Sequence, residues 1–395
     1  MIKVQTLKGF RDFLPKEIRK RQFVLDTLKN VFESYGFEPL ETPSLEYEEV
    51  LSDKYGDEGD KLMYKFKDLG QRDVALRYDQ TVPLARAIAQ YQNEIPFPFK
   101  RYQIQNVWRA ENTQKGRYRE FLQVDADIVG IYNPLADSEI INLAIDAVCN
   151  LGFKNITLFI NDRKIFNGIE EKYILSLDKL DKIGRDGVLK ELSEKGLGEK
   201  NAEELLTRIE NTNPPESLEG LIKLIKKEKK EINIKFKPTL ARGLNYYTGA
   251  IFELTIEGSN LGSIGGGGRY DNLIGIFAGK DIPAVGFSFG FDRVLEAMEE
   301  LNLFPKNLGS NNVFVAFSSS DLQEKALKTV EKLRNENIPS EFYLEDASLE
   351  KQLKYADKKQ IPYSIVVSNN ELVFKDMEKR TQESLTLVEI IKKLK

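Results

Sequence analysis

The residue types most suited to chemistry fall in two stretches. Residues 241–249 hold one arginine, two adjacent tyrosines and two glycines (Arg242, Gly243, Tyr246, Tyr247, Gly249), followed by an alternating apolar run. A fixed positive charge beside tight backbone and flat rings suits an anion next to a small polar or planar ligand. The other reading is a hairpin with a solvated arginine, and one short motif does not choose between them. Residues 99–130 are richer. Arg109 closes a predicted strand, Glu111 follows, and Lys115 and Arg117 in a polar loop and Arg119 just across it stand ahead of Phe121. Gln123, Asp125 and Asp127 then recur at period two, which puts all three on one face of a strand. The arginine forks match phosphate oxygens in pairs. The ring offers a stacking surface for a base, and the polar strand face offers acceptors for an amine. A solvated basic loop beside a half-polar strand is the plainer alternative.

The residues that are missing narrow the chemistry. The 395 residues include no histidine and one cysteine, Cys149. That excludes Ser-His and Cys-His nucleophiles and histidine-held metals. Cys149 sits in an apolar helical stretch and reads as a small buried residue. Unpaired, it fits a reducing compartment. What remains is carboxylates, fixed cations, backbone groups or a metal held by oxygen, and electrostatic positioning of a phosphorylated substrate suits that set best. The net charge of −4 argues against a general nucleic-acid coat but allows a large RNA docked on local basic patches. Apolar residues make up 41% and charged residues 30%, with no apolar run long enough to span a membrane. The N-terminal residues lack the pattern of a signal or transit peptide, so a cytoplasmic protein without a membrane partner is expected.

These residues need elements to position them. Apolar spacing predicts a helix over residues 15–35 and another over 81–91, each at a clear start signal. Residues 99–108 and 118–130 read as two strands joined by the loop, with a helix over 137–151 and a short strand over 156–160. Residues 171–235 turn Lys/Glu/Leu-rich and helical, and strand-rich sequence resumes from 235 to 264. The glycine run from Gly265 to Gly268 reads equally as a loop or as part of a site. After a linker at 302–310, strands and helices alternate, which predicts a small α/β domain with a parallel or mixed sheet.

Several of these segments together resemble the class II aminoacyl-tRNA synthetases. Arg109-x-Glu111 with Arg117-x-x-x-Phe121 looks like their motif 2, residues 286–293 (GFSFGFDR) like motif 3, and Pro43 like the motif 1 proline. Arg77-Tyr78-Asp79-Gln80-Thr81 and Arg242-Gly243-Leu244-Asn245-Tyr246-Tyr247 resemble two signatures of the histidyl-tRNA synthetases. The likeness spans nearly the whole chain. It implies an α+β fold: a catalytic domain on an antiparallel sheet (1–170 and 236–301), a helical insertion (171–235) and an anticodon-binding α/β domain (311–395). It implies histidine, ATP with Mg2+, and histidine tRNA as ligands, with a homodimer meeting near Pro43. By the same resemblance, Arg109 and Arg242 flank the α-phosphate and the histidine carboxylate. Glu111, Phe121 and Arg293 hold adenine, and Arg117 with Arg293 reaches the terminal phosphate. Asp79, Thr81 and Gln123 hold the α-amino group with Gln80 beside them, and Asp127, Tyr246 and Tyr247 line the imidazole pocket. No protein side chain is assigned to a metal. Asn245 departs from the family's usual aspartate, which puts in doubt the support given to Arg242. The resemblance extends to non-catalytic relatives, a regulatory subunit of ATP phosphoribosyltransferase and tRNA-sensing domains, which tend to lose the arginines.

Overall fold

The computed structural model describes residues 2–113, 116–229, 232–242, 246–259, 261–305, 308 and 313–395, without the side chains of 56–58 and 227–228. Lys115, Gly243, Leu244, Asn245 and residues 306, 307, 309 and 310 of the 302–310 linker lie outside these residues.

The helix Pro15–Ser34 opens with the proline where its missing N–H costs nothing. It buries Val24, Leu28, Val31 and Phe32 along one face. Gly36, at φ 75°, takes the left-handed turn that ends it. Phe32 meets Tyr102 and Phe289, so this helix closes one face of the main sheet.

Among the described residues that sheet has eight strands. Their order is Glu38–Pro39, Phe99–Trp108, Glu120–Val129, Ala284–Gly290, Ser263–Arg269, Ala250–Ile256, Ile156–Asp162 and Asn233–Phe236. The outermost pair at each edge is parallel, and every pairing between is antiparallel. The register sets the site. Gln123, Asp125 and Asp127 lie opposite Gly290, Ser288 and Gly286. Ser288 lies opposite Gly266, and Gly266 opposite Glu253. Side chains on one strand thus face a floor of glycine and serine on the next two.

The glycine run is therefore a strand, not a loop. Single-residue propensity disfavours glycine there, but tertiary packing demands it. A Cβ at Gly266 would stand 2.3 Å from the Arg242 guanidinium, and one at Gly267 1.9 Å from the Gly286 carbonyl. A second difference concerns Cys149. It lies in the last turn of the helix Leu135–Asn150, one residue beyond the last buried position, Val148, and is exposed.

Four helices follow one another over Glu171–Leu177, Leu180–Glu194, Glu199–Glu210 and Glu216–Glu228. The first three share a core that includes Ile174, Leu177, Val188, Leu192 and Leu206. A smaller antiparallel sheet joins Leu45–Tyr47, Asp73–Leu76 and Lys65–Lys67.

Residues 313–395 form a mixed five-stranded sheet, with Ser340–Phe342, Val313–Phe317 and Tyr363–Val367 parallel and Leu372–Asp376 and Thr381–Leu385 added antiparallel. The strand Thr381–Leu385 has no sequence signal, since four of its five residues are exposed and polar. Ladder pairing with Leu372–Asp376 makes it a strand. The final helix, Leu387–Leu394, starts at a reciprocal cap between Thr386 and Glu389.

Candidate active site

A cavity of about 450 Å³ opens over the glycine floor. It gathers Asp79, Thr81, Arg109, Glu111, Arg117, Phe121, Gln123, Asp127, Arg242, Tyr246, Tyr247 and Arg293 from segments more than 200 residues apart. Three residues singled out from the sequence stand elsewhere, one of them Arg119, whose Nε donates to the Glu111 carbonyl. Pro43 does not line the cavity. Gln80 is fully buried, and its amide donates to the carbonyls of Gln105 and Gln123, clamping two strands.

One group of lining residues is cationic. Arg109 donates from Nε to the Tyr78 carbonyl at 3.0 Å and lies over the rings of Tyr78 and Phe121. Arg242 holds a left-handed φ of 62° and pairs with Glu253 at 3.3 Å. Arg293 follows the glycine that ends the Ala284–Gly290 strand and donates to the Ser263 carbonyl. Burial, then the like charges of Arg117 and Arg242, pull the Arg293 guanidinium below its ordinary value. Cations crowded this closely favour a polyanion between them.

The other group is acidic and phenolic. Asp79 Oδ1 accepts from the Tyr55 hydroxyl and the backbone N–H groups of Thr81 and Val82. Asp79 Oδ2 and Gln123 Oε1 are buried with no hydrogen-bond partner among the described residues. Burial raises the Asp79 carboxyl above its usual range. Two buried orphan acceptors in one cavity call for a donor such as an ammonium. Asp127 accepts from the Tyr270 hydroxyl and lies 2.7 Å from the fully buried Arg101. Tyr55, Arg101 and Tyr270 are functional neighbours that sequence reasoning missed. Tyr270 was visible as the residue after Arg269 at the end of the glycine run, but Tyr55 and Arg101 carry no local signal.

Asp125 is buried beside this pair, with Gln123 donating to both of its oxygens. Burial pushes its carboxyl up to about 7, with Arg101 lowering it and Asp127 raising it. A raised folded-state value means the protonated form is favoured by folding. Its contribution is complete below the unfolded value of about 3.9 and is lost as pH rises through 7. With no histidine in the chain, no ordinary side chain titrates in that window. Urea unfolding of the ligand-free protein is expected to show stability falling between about pH 5 and 7, and Asp125→Asn to flatten that slope. An unchanged slope in the variant would refute the assignment.

An antiparallel sheet bearing arginines on one strand–loop–strand and at the start of the helix that continues the strand Ala284–Gly290, around one cavity, defines a class II aminoacyl-tRNA synthetase catalytic domain. Residues 9–206 and 184–294 match the histidyl-tRNA synthetase family, and residues 312–395 match the anticodon binding domain family. The histidine–tRNA ligase of Christiangramia forsetii is 43% identical, with 92% of each chain covered. That of Cytophaga hutchinsonii is 39% identical, with 98% of each covered. The crystal structure of a histidyl-tRNA synthetase from a Nostoc species superposes with a TM-score of 0.83 at 29% identity, covering 100% of this chain and 99% of that one. The chain belongs to the histidyl-tRNA synthetase family.

Proposed function

We propose that the cavity activates histidine with ATP, releasing pyrophosphate, and that the resulting histidyl-adenylate then esterifies the 3′ end of histidine tRNA. The observation that carries this reading is one cavity holding both a cluster of arginines and two buried orphan acceptors. The first suits a polyphosphate and the second an amino group.

In the first step, a histidine carboxylate oxygen bonds to the α-phosphorus of ATP and the bond to the pyrophosphate oxygen breaks. The nucleophile is already ionised, so no general base is required, which a histidine-free chain satisfies. Catalysis consists of alignment and of neutralising the charge on the α-phosphate. Arg109 and Arg242 take that role. Glu111, Phe121 and Arg293 hold adenine, and Arg117 with Arg293 reaches the terminal phosphate. Asp79 Oδ2, Thr81 and Gln123 Oε1 receive the α-amino group. Asp127, Tyr246, Tyr247 and Tyr270 line the imidazole pocket, where groups for both ring nitrogens reject analogues lacking them. Magnesium would be held largely by the phosphate oxygens of the nucleotide, where it would neutralise charge during the transfer.

The match of residues 312–395 to anticodon-binding domains supports tRNA as the second substrate. Leu45, Tyr47 and Phe66 expose apolar surface on the small sheet that begins two residues after Pro43. That surface supports a homodimer near Pro43. No helix of the described residues is long and apolar enough to cross a membrane, which accords with a cytoplasmic enzyme.

Histidine-dependent exchange of pyrophosphate into ATP tests the reading. Exchange well above the histidine-free background is expected. Its absence with histidine and magnesium present would leave a non-catalytic relative as the better description.

A further inference from the structure

Among the described residues, the helical segment 171–228 reaches the cavity at one residue, Asp178. Asp178 caps the helix Glu171–Leu177 and lines the cavity wall. Its Oδ1 accepts from the backbone N–H of Ala241 at 2.9 Å and of Arg242 at 3.2 Å. The Ala241 carbonyl accepts from Arg163, whose guanidinium also pairs with Glu171, the first residue of that helix. Ala241 itself is fully buried in the core of the helical segment. The next residue, Arg242, is held at a positive φ, a conformation that is strained for a non-glycine residue. Such strain persists only where the surroundings over-determine it, and Asp178 with Arg163 supplies that constraint.

We infer that Asp178 is a positioning residue for Arg242. By holding the two adjacent N–H groups, it fixes the strained turn from which the guanidinium crosses the glycine floor at Gly266. The inserted helices thereby act on adenylate formation through the backbone of the arginine. This rests on the reading of Arg242 as a phosphate-binding residue.

The test compares Asp178→Ala with Asp178→Asn by histidine-dependent pyrophosphate exchange and by calorimetric titration of histidine. Asp178→Ala is expected to lower the exchange kcat about ten- to a hundredfold, the scale of losing hydrogen bonds to a charged acceptor. Its histidine Kd should stay close to that of the parent. Asp178→Asn keeps an acceptor oxygen and is expected to recover most of the rate. Undiminished exchange in Asp178→Ala overturns the inference. So does an equal loss in Asp178→Asn, or a parallel loss of histidine binding. Should Asp178→Ala not fold, Arg163→Met, which frees the Ala241 carbonyl from the other side, is read in the same way. Exchange that survives Arg242→Ala would instead overturn the role of Arg242, whereas loss in Arg242→Ala without loss in Asp178→Ala overturns this inference alone.

Discussion

Replacing Arg242 by alanine is expected to lower histidine-dependent pyrophosphate exchange by about a hundred- to a thousandfold, or about 3–4 kcal/mol of transition-state stabilisation. Histidine binding should change little. The split follows from where the charge develops. In the proposed reading ground-state histidine is held by Asp79, Gln123 and Asp127, none of which pairs with Arg242, whose ion-pair partner among the described residues is Glu253. As the carboxylate attacks, negative charge grows on the α-phosphate oxygens, and a guanidinium fixed in advance meets it with no reorganisation. Gly266 makes that placement possible, because any larger residue would collide with the guanidinium. Arg242→Lys keeps the charge but loses the planar fork, so partial activity is expected. The variants are compared by exchange kinetics and by histidine titration. Normal exchange in Arg242→Ala, or an equal loss of histidine affinity, would remove Arg242 from the proposed role.

Gly286→Ala is expected to weaken histidine binding about a hundredfold, about 3 kcal/mol, the upper range for forcing a side chain into a packed site. A Cβ there would fall 1.8 Å from Asp127 Oδ1, far inside contact distance. Asp127 has nowhere to retreat. Its carboxylate is held by the Tyr270 hydroxyl and faces Arg101, and all three are buried. Displacing it removes the acceptor proposed for the imidazole and strands the Arg101 charge. A Cβ at Gly286 meets Asp127 and the Ala126 carbonyl and none of the residues proposed to bind the nucleotide, so the KM for ATP should stay near that of the parent. Titration of histidine, with a thermal scan to establish folding, checks this. Histidine affinity equal to that of the parent would show that Asp127 does not face the ligand.

Both predictions depend on residues that the sequence presents unequally. Arg109, Glu111 and Phe121 are legible because they fall within a dozen residues on one strand–loop–strand. Gln123, Asp125 and Asp127 are legible because a period of two is a local property of a strand. The helical segment and the C-terminal α/β alternation are legible for the same reason, through their spacing of apolar residues. The glycine run is not. Its strand geometry comes from ladders to Ala250–Ile256 and Ala284–Gly290, which local propensity opposes. Gln80 sits in a motif of site residues yet turns its amide to strand carbonyls. Cys149 follows an apolar run yet faces solvent, because helix burial stops one residue earlier.

By itself, then, the sequence determined what chemistry was possible and which elements would form. Without histidine, catalysis was confined to carboxylates, fixed cations, backbone groups or a metal held by oxygen, and spacing along the chain is enough to set most helices and strands. Only the tertiary structure decided which of these groups meet. Tyr55 holds Asp79 from 24 residues away, Gly286 clears space for Asp127 across a strand pairing, and Asp178 fixes Arg242 from 64 residues away. The physical reason is that burial, orphan acceptors and shifted carboxyls arise only when distant strands close over one another and exclude water. Nothing in the spacing of neighbours along the chain encodes those pairings.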